Sequence, residues 1–434
     1  MEEWCPKHIG MFVYSPTKQN SLPGAPASRE DLRNHNSALV LRMLWSERDG
    51  ASRSDIARAT GLSKATVSAI VSDLEDSGLV KESRETAPSG GRPGIVLRFR
   101  YDAFAIIGVE LGASHVSLVR MNLAGEVEES LSERHSVRDD PAGAIALTNR
   151  MVDDAITSCL QPVIGMGIGV PAPLHAETPG RLSSRVHPAW SDVDLNTAFG
   201  DGRPFPVQVE NDANLGALAE HWWGVGRGTT DFTYVKVSTG IGAGLIVGGD
   251  IYRGPGGIAG ELGHMIIEAN SSPSQINDLV GNEHLLRQAL AGEGEYAPDD
   301  DWTEETFTMD VLTSAAKSGH PAAMRVVQRA GRRLGIALAN LFNITNPSCV
   351  VLGGPITEAG NVLMDPVRAA VSEHVLHLSQ QPPEVLVTSL RDEAVALGGA
   401  TAVLQRALTN PQLLNPSAST GVRSGAAQFG QVNL

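Results

Sequence analysis

Glu210-Asn211-Asp212-Ala213-Asn214 follows a short apolar run, Pro206-Val207-Gln208-Val209, and precedes a helix-like segment from Leu215 to Trp223. A carboxylate is thus set where a strand ends and a helix begins, a place where backbone N–H groups attract anions and polar ligands. Two readings of Asp212 follow. It can act as a general base toward a substrate hydroxyl, or it can be the N-cap of the helix, accepting a hydrogen bond from its first turn. Position alone favours the cap, so the weight of the functional reading lies elsewhere in the chain.

The chain has 434 residues, a net charge of -15 and 42% hydrophobic residues, enough for more than one domain with its own core. The charge excludes a protein that coats nucleic acid along its whole surface. The average conceals a local contrast. Residues 31–100 hold 11 Lys and Arg against 9 Asp and Glu. A mildly basic module on an acidic body suits a DNA-reading head on a ligand-binding body. Cys5, Cys159 and Cys349 form no CxxC pair and no metal-type spacing; the set points to a reducing, cytoplasmic setting. No segment has the length of a membrane span, and the Pro-, Ser- and Gly-rich start does not read as a signal peptide. Residues 1–30 and 410–434 are expected to be loose ends.

Within 31–100, apolar residues from Leu39 to Trp45 predict a helix over Asn34 to Glu47, ended by Asp49-Gly50. A short helix follows over Ser54 to Thr60, with Ser54 the expected cap. Gly61-Leu62-Ser63 turns the chain into a second helix, from Lys64 to about Asp76, with Val67, Ile70, Val71 and Leu74 at helical spacing. Helix, Gly-containing turn, helix is the helix-turn-helix pattern. Recognition helices present their first residues to the major groove, so Ser63, Lys64, Thr66 and Ser68 are the expected DNA contacts, to phosphate or base edges. Lys81 to Arg84, the Gly-rich tip Ser89-Gly90-Gly91-Arg92-Pro93-Gly94 and Ile95 to Phe99 form a wing. Arg92 at its tip is placed to enter a narrow minor groove.

The body shows a pattern twice. Ala105-Ile106-Ile107-Gly108-Val109-Glu110-Leu111 reads as a central strand buried on both faces and broken by one Glu. Gly112-Ala113-Ser114 turns it into a second strand from Val116 to Met121, and Leu123 to Glu126 turns that into a third. Later, Phe232 to Val237, the turn Ser238-Thr239-Gly240-Ile241-Gly242, Ala243 to Val247 and the turn at Gly248 repeat the order. Two related lobes, each a mixed sheet flanked by helices, are expected, with a ligand crevice between them. The small-residue turns can cradle phosphates through backbone N–H groups or can simply be tight hairpins. Gly254 to His264 is a Gly-rich loop ending in Glu261 and His264, which share one side of a helical turn and can hydrogen-bond sugar hydroxyls. A helix over Ala330 to Leu341, a strand at Cys349 to Leu352, a helix from Asp365 to Val375, a strand at Glu384 to Thr388 and a last helix from Ala394 to Leu408 complete the reading.

These residues together resemble the ROK family of bacterial repressors and sugar kinases, over roughly residues 30 to 410. The motifs are Gly167 to Pro173, Glu210 to Asn214, Ser238 to Gly244, Glu261-Leu262-Gly263-His264 and Leu352-Gly353-Gly354, with the front module resembling that of the repressor branch. The resemblance implies an α/β chain: an N-terminal winged helix-turn-helix (31–100) and a two-lobed actin-like body. Lobe 1 is expected at 101–220, lobe 2 at 221–385, and a C-terminal helix at 386–409 returning to the body. It implies sugar contacts from Asn211, Asp212, Glu261 and His264. In the family's kinases Asp212 would be the base, and the turns with Gly112, Thr239, Gly240 and Gly353 would hold ATP.

Three departures weigh against phosphoryl transfer. The first turn, Glu110-Leu111-Gly112-Ala113-Ser114, replaces the kinase pattern Asp-x-Gly-Gly-Thr, adding a Cβ at Ala113 and a methylene at Glu110. No Cys stands between Glu268 and Asn282, so the zinc that many members hold beside the Glu-x-Gly-His turn lacks its donors. A further sugar-binding Glu has no counterpart, with Asn277 and Asp278 nearby. The expectation is a non-enzymatic, sugar-controlled repressor with no cofactor and no metal. It would read an inverted-repeat operator as a homodimer or dimer of dimers. A bifunctional sugar kinase using ATP and magnesium is the alternative, and a ligand-free dimerising scaffold a third reading.

Overall fold

The computed structural model describes residues 28–85, 94–174, 180–182, 187–268, 273–292, 302–376 and 383–414. The head has helices α1 (Arg29–Ser46), α2 (Arg53–Thr60) and α3 (Lys64–Asp76), then the hairpin β1 (Val80–Glu85) and β2 (Gly94–Phe99), paired antiparallel. Helix α1 starts five residues before the expected Asn34. The reason is a capping box: Ser28 Oγ accepts from the Asp31 backbone, and Asp31 accepts from the Ser28 backbone. The same device corrects the expected cap of α2. Ser52, not Ser54, accepts from the Asp55 N–H, and Asp55 reaches back to Ser52. Gly61 then takes the left-handed conformation, φ 72°, that a residue with a Cβ adopts only with strain.

The body begins with β3 (Ala105–Leu111), β4 (His115–Asn122), β5 (Val127–Arg134), α4 (Pro141–Thr157), β6 (Val163–Val170), α5 (Leu195–Gly200), β7 (Val207–Asn211) and α6 (Asp212–Trp222). Then come β8 (Phe232–Val237), β9 (Ile241–Val247), β10 (Asp250–Tyr252), the short pair β11 (Ile266–Glu268) and β12 (Ser274–Gln275), α7 (Ile276–Val280), α8 (Asn282–Ala291) and α9 (Met309–Lys317). Last are α10 (Pro321–Thr345), β13 (Cys349–Gly353), α11 (Asn361–His374), β14 (Glu384–Val387) and α12 (Ala394–Thr409).

The two main sheets repeat one topology. The first runs β5-β4-β3-β6-β7, the second β10-β9-β8-β13-β14. In each, the central strand is antiparallel to the hairpin side and parallel to the other side. Helix α10 is longer than the expected Ala330 to Leu341. It starts at Pro321 behind the His320 cap and ends at Asn346 in the left-handed region.

Helices α6 and α12 lie between the sheets and pack on each other; α12 faces β3 and β6, while α6 faces β8 and β9. Gly398-Gly399 makes this possible. A Cβ on Gly398 would stand 1.9 Å from the Leu215 carbonyl oxygen of α6, and the backbone of Gly399 meets that of Gly167 in β6. Backbone touches backbone on both sides of α12, which only glycine permits.

The expected loose end at 410 is corrected in part. Pro411–Leu414 forms a further helical turn, Leu414 is buried, and Gln412 hydrogen-bonds Asn34 of α1. One contiguous core joins Val40, Leu41 and Leu44 of the head to Phe104, to Ile106 and Met121 of the first sheet and to Leu404, Leu408 and Leu414. The boundary expected at 385/386 falls inside β14.

Candidate functional site

Asp212 is not the cap of α6. Asn211 is: its Oδ1 accepts from the Asn214 N–H at 3.1 Å, while its Nδ2 donates to the Ala172 carbonyl at 3.3 Å. Asp212 is the first helical residue, buried, with Oδ1 accepting from the Ala213 N–H. Its other oxygen takes a partner that sequence reasoning missed. Lys236 Nζ lies 2.7 Å from Asp212 Oδ2 and 2.5 Å from Glu110 Oε1. The bridge spans the lobes, since Glu110 stands on β3 and Lys236 on β8. Burial alone would raise the Glu110 carboxyl, but the Lys236 ammonium and His115 outweigh it and hold it down to about 2. Burial would lower Lys236, and the charges of Asp212 and Glu110 reverse that and raise it.

A second ion pair crosses the cleft beside the first. Arg253, just past β10, donates Nε to Glu210 Oε2 at 2.8 Å; the other Glu210 oxygen accepts from the Asn211 N–H and from Asn214 Nδ2. Glu261 and His264 flank a single 3-10 turn, Leu262–His264, with 3.7 Å between carboxylate and imidazole. His264 is exposed and its Nδ1 lies 3.1 Å from Gln275 Oε1. Burial raises the Glu261 carboxyl, opposed by His264 and assisted by the charge of Asp212. The structure thus brings Asn211, Asp212 and Glu261 near one another, with His264 exposed beside Glu261. Asn277 does not stand free as a sugar ligand, because its Oδ1 accepts from the Ile241 N–H at 2.8 Å.

The candidate phosphate turns fare differently. The His115 ring covers Gly112, where a Cβ would come within 2.3 Å of it. Gly353 makes room for Tyr234, whose hydroxyl would lie 2.2 Å from a Cβ there. Thr239 is half-buried and Gly240 exposed in a tight turn closed by Ser238 N–H to Gly240 carbonyl at 2.9 Å.

On the head, Ser63, Lys64 and Ser68 are exposed and Thr66 is half-buried at the start of α3. Ser63 Oγ is engaged as the α3 cap, accepting from the Thr66 N–H at 3.1 Å. Arg92 lies outside the described residues.

The comparisons with known proteins divide the chain at the same place. The profile of the ROK family matches residues 106–406, and that of the MarR family residues 34–92. The chain belongs to the ROK family. It is 28% identical to the xylose repressor of Bacillus subtilis over 388 residues, spanning 88% of this chain and 98% of that one. It is 29% identical to the glucokinase of Halalkalibacterium halodurans over 319 residues, spanning 69% of this chain and 95% of the kinase. Among solved structures, a ROK-family transcriptional regulator, a homologue of the Escherichia coli MLC protein, superposes with TM-score 0.74 at 24% identity, covering 90% of this chain and 100% of that one. The ROK body therefore carries a winged helix at its front.

The seam between that head and the ROK body is aromatic. Trp45 of α1 faces Trp222 at 5.6 Å, and Trp222 faces Trp223 at 5.7 Å. Trp45 Nε1 donates to the Leu123 carbonyl at 2.7 Å, and the Tyr101 hydroxyl donates to the Trp45 carbonyl at 2.5 Å. Trp223 Nε1 donates to Thr401 Oγ1 of α12 at 2.7 Å. Helix α6, about 16 Å long at its rise per residue, thus carries Asp212 at one end and the head contact at the other. Among the described residues, no helix is long and apolar enough to cross a membrane.

Proposed function

We propose that this ROK protein is a cytoplasmic DNA-binding transcriptional repressor controlled by a sugar or sugar derivative held between its lobes. The observation that carries this reading is the α6 connection. One end of the helix presents Asp212 to the cleft, and the other bears Trp222 against Trp45 of the head. A ligand that moves α6 or the lobe packed on it acts on the head through a shared core, not through a loose linker. A relative that aligns over both head and body, from Bacillus subtilis, is named a xylose repressor, which supports the same assignment.

Asn211, Asp212 and Glu261 would accept from or donate to sugar hydroxyls inside the cleft, with His264 closing its rim. Ser63, Lys64, Thr66, Ser68 and the wing residue Arg92 would contact the operator. A two-fold dimer of such heads would read an inverted repeat with half-sites about one or two helical turns apart. The kinase alternative is disfavoured, because the His115 ring covers Gly112 in the turn that would have to cradle a phosphate.

The test is a fluorescence-anisotropy titration of DNA from upstream of the chain's own gene, repeated over a panel of aldoses and amino sugars at fixed salt. Salt-sensitive binding that one sugar shifts at least about tenfold is expected. Absence of specific binding to that DNA would remove the repressor reading.

A further inference from the structure

A nucleotide-dependent cleft needs two things at the strand ends: backbone N–H groups open to phosphate, and carboxylates free to hold a hydrated divalent cation against it. At the end of the first lobe's central strand, neither is free among the described residues. The turn after β3 is covered at Gly112 by the His115 ring, whose Nε2 also lies 3.8 Å from Glu110 Oε2. Two carboxylates of the first lobe, Glu110 and Asp212, are 3% and 7% exposed and are joined by one ammonium that Lys236 brings from the second lobe. Magnesium with a nucleotide does not fit these residues.

Lys236 is anchored as a structural part. Its strand neighbours Tyr234, Val235 and Val237 are buried, and its own side chain is 13% exposed. A lone ammonium in such a strand is unstable without partners, and two carboxylates left without a cation would repel each other. Each side of the cleft therefore requires the other.

We propose that Lys236 is a tethered counter-cation. It stands where a divalent ion would otherwise join Glu110 and Asp212, holds the two lobes together through them, and leaves a cleft able to take a hydroxylated ligand but not magnesium-ATP. This claim concerns the same cleft as the effector reading, yet its test involves neither DNA nor sugar, so the two can fail separately.

The experiment compares full-length wild type, Lys236→Ala and Lys236→Gln by thermal unfolding in EDTA and in millimolar manganese, with manganese uptake followed by electron paramagnetic resonance. The wild type is expected to show the same Tm in both buffers and to take up no manganese. Lys236→Ala should lose on the order of 5 °C in EDTA, regain most of it in manganese and bind about one ion. Adding Glu110→Gln to it should abolish the recovery. Lys236→Gln keeps the packing and a hydrogen-bond donor, so it tests the charge where Lys236→Ala fails to fold; it too should be less stable in EDTA and rescued by manganese. The proposal is overturned if either folded variant is as stable as wild type in EDTA. It is equally overturned if the lost stability does not return with manganese, or if the wild type itself binds manganese-ATP.

Discussion

Replacing Trp45 by Ala should cut the line between cleft and head while leaving both ends folded. The indole loses its contact with Trp222 and its hydrogen bond to the Leu123 carbonyl. An aromatic pair contributes about 0.5–1.5 kcal/mol beyond burial, and a hydrogen bond about 1 kcal/mol. A fully buried Trp→Ala costs about 3–5 kcal/mol; Trp45 is half-buried, so a loss of about 2–3 kcal/mol is expected. The head keeps its own core of Leu41, Leu44, Ile56, Val67 and Val71, so operator affinity without ligand should change little. The ligand-linked change in affinity should fall toward none, a loss of coupling of about 1–3 kcal/mol. Trp45→Phe keeps a ring on Trp222 and should retain most of the response at a cost of about 1 kcal/mol. Urea unfolding gives the stability, and anisotropy titrations with and without the sugar give the coupling. A Trp45→Ala protein with an undiminished ligand response would refute the route through this seam.

Other consequences can be checked separately. Glu110 is held down to about 2 against an ordinary value of 4.5. Its stabilising contribution is therefore complete above pH 4.5 and lost as pH falls toward 2. Glu110→Gln should flatten the acid limb of the stability curve by about 3 kcal/mol, measured by denaturant titration at stepped pH. Lys64→Ala should weaken operator binding across sequences and lower the salt slope by about one, while Ser63→Ala should also cost about 1 kcal/mol of stability through loss of its cap. Gly398→Ala drives a Cβ to 1.9 Å from the Leu215 carbonyl oxygen; a loss of at least about 1–3 kcal/mol is expected, seen as a lowered urea midpoint.

Much of this architecture was legible in the sequence because its signals are local. Apolar runs of strand length, Gly-bearing turns and helical spacing gave the head, the opening hairpin strands of both lobes and the closing elements of the second; α4, β6, α5 and α7 to α9 were not read. Local competition explains the misses. At Ser52 and Ser54 both hydroxyls suit a cap, and only the placement of Asp55 decides between them. At Asn211 and Asp212 either side chain can cap α6; Asn211 does so, because the carboxylate of Asp212 turns to Lys236.

The ion bridge depends on residues 126 apart in sequence, beyond the reach of periodicity. A signal was nonetheless present: Glu110 and Lys236 are the single charges, opposite in sign, of two central strands, and a buried charge requires a partner. The fused head–body core had no such signal. Trp45, Trp222 and Trp223 read as ordinary amphipathic positions until the fold brings α1 against the end of α6.

The most direct measurement of the central claim is the distance between the two heads of the proposed dimer. A spin label at Ser68→Cys, in a background lacking Cys5, Cys159 and Cys349, reports it by double electron-electron resonance on samples with the cleft empty and with the sugar bound. Because each head shares a core with its own first lobe, movement of the lobes must carry the heads. A displaced distance distribution on ligand binding, lost again in Trp45→Ala, is the predicted result. An identical distribution in both samples, from protein that has demonstrably bound the sugar, would contradict the account.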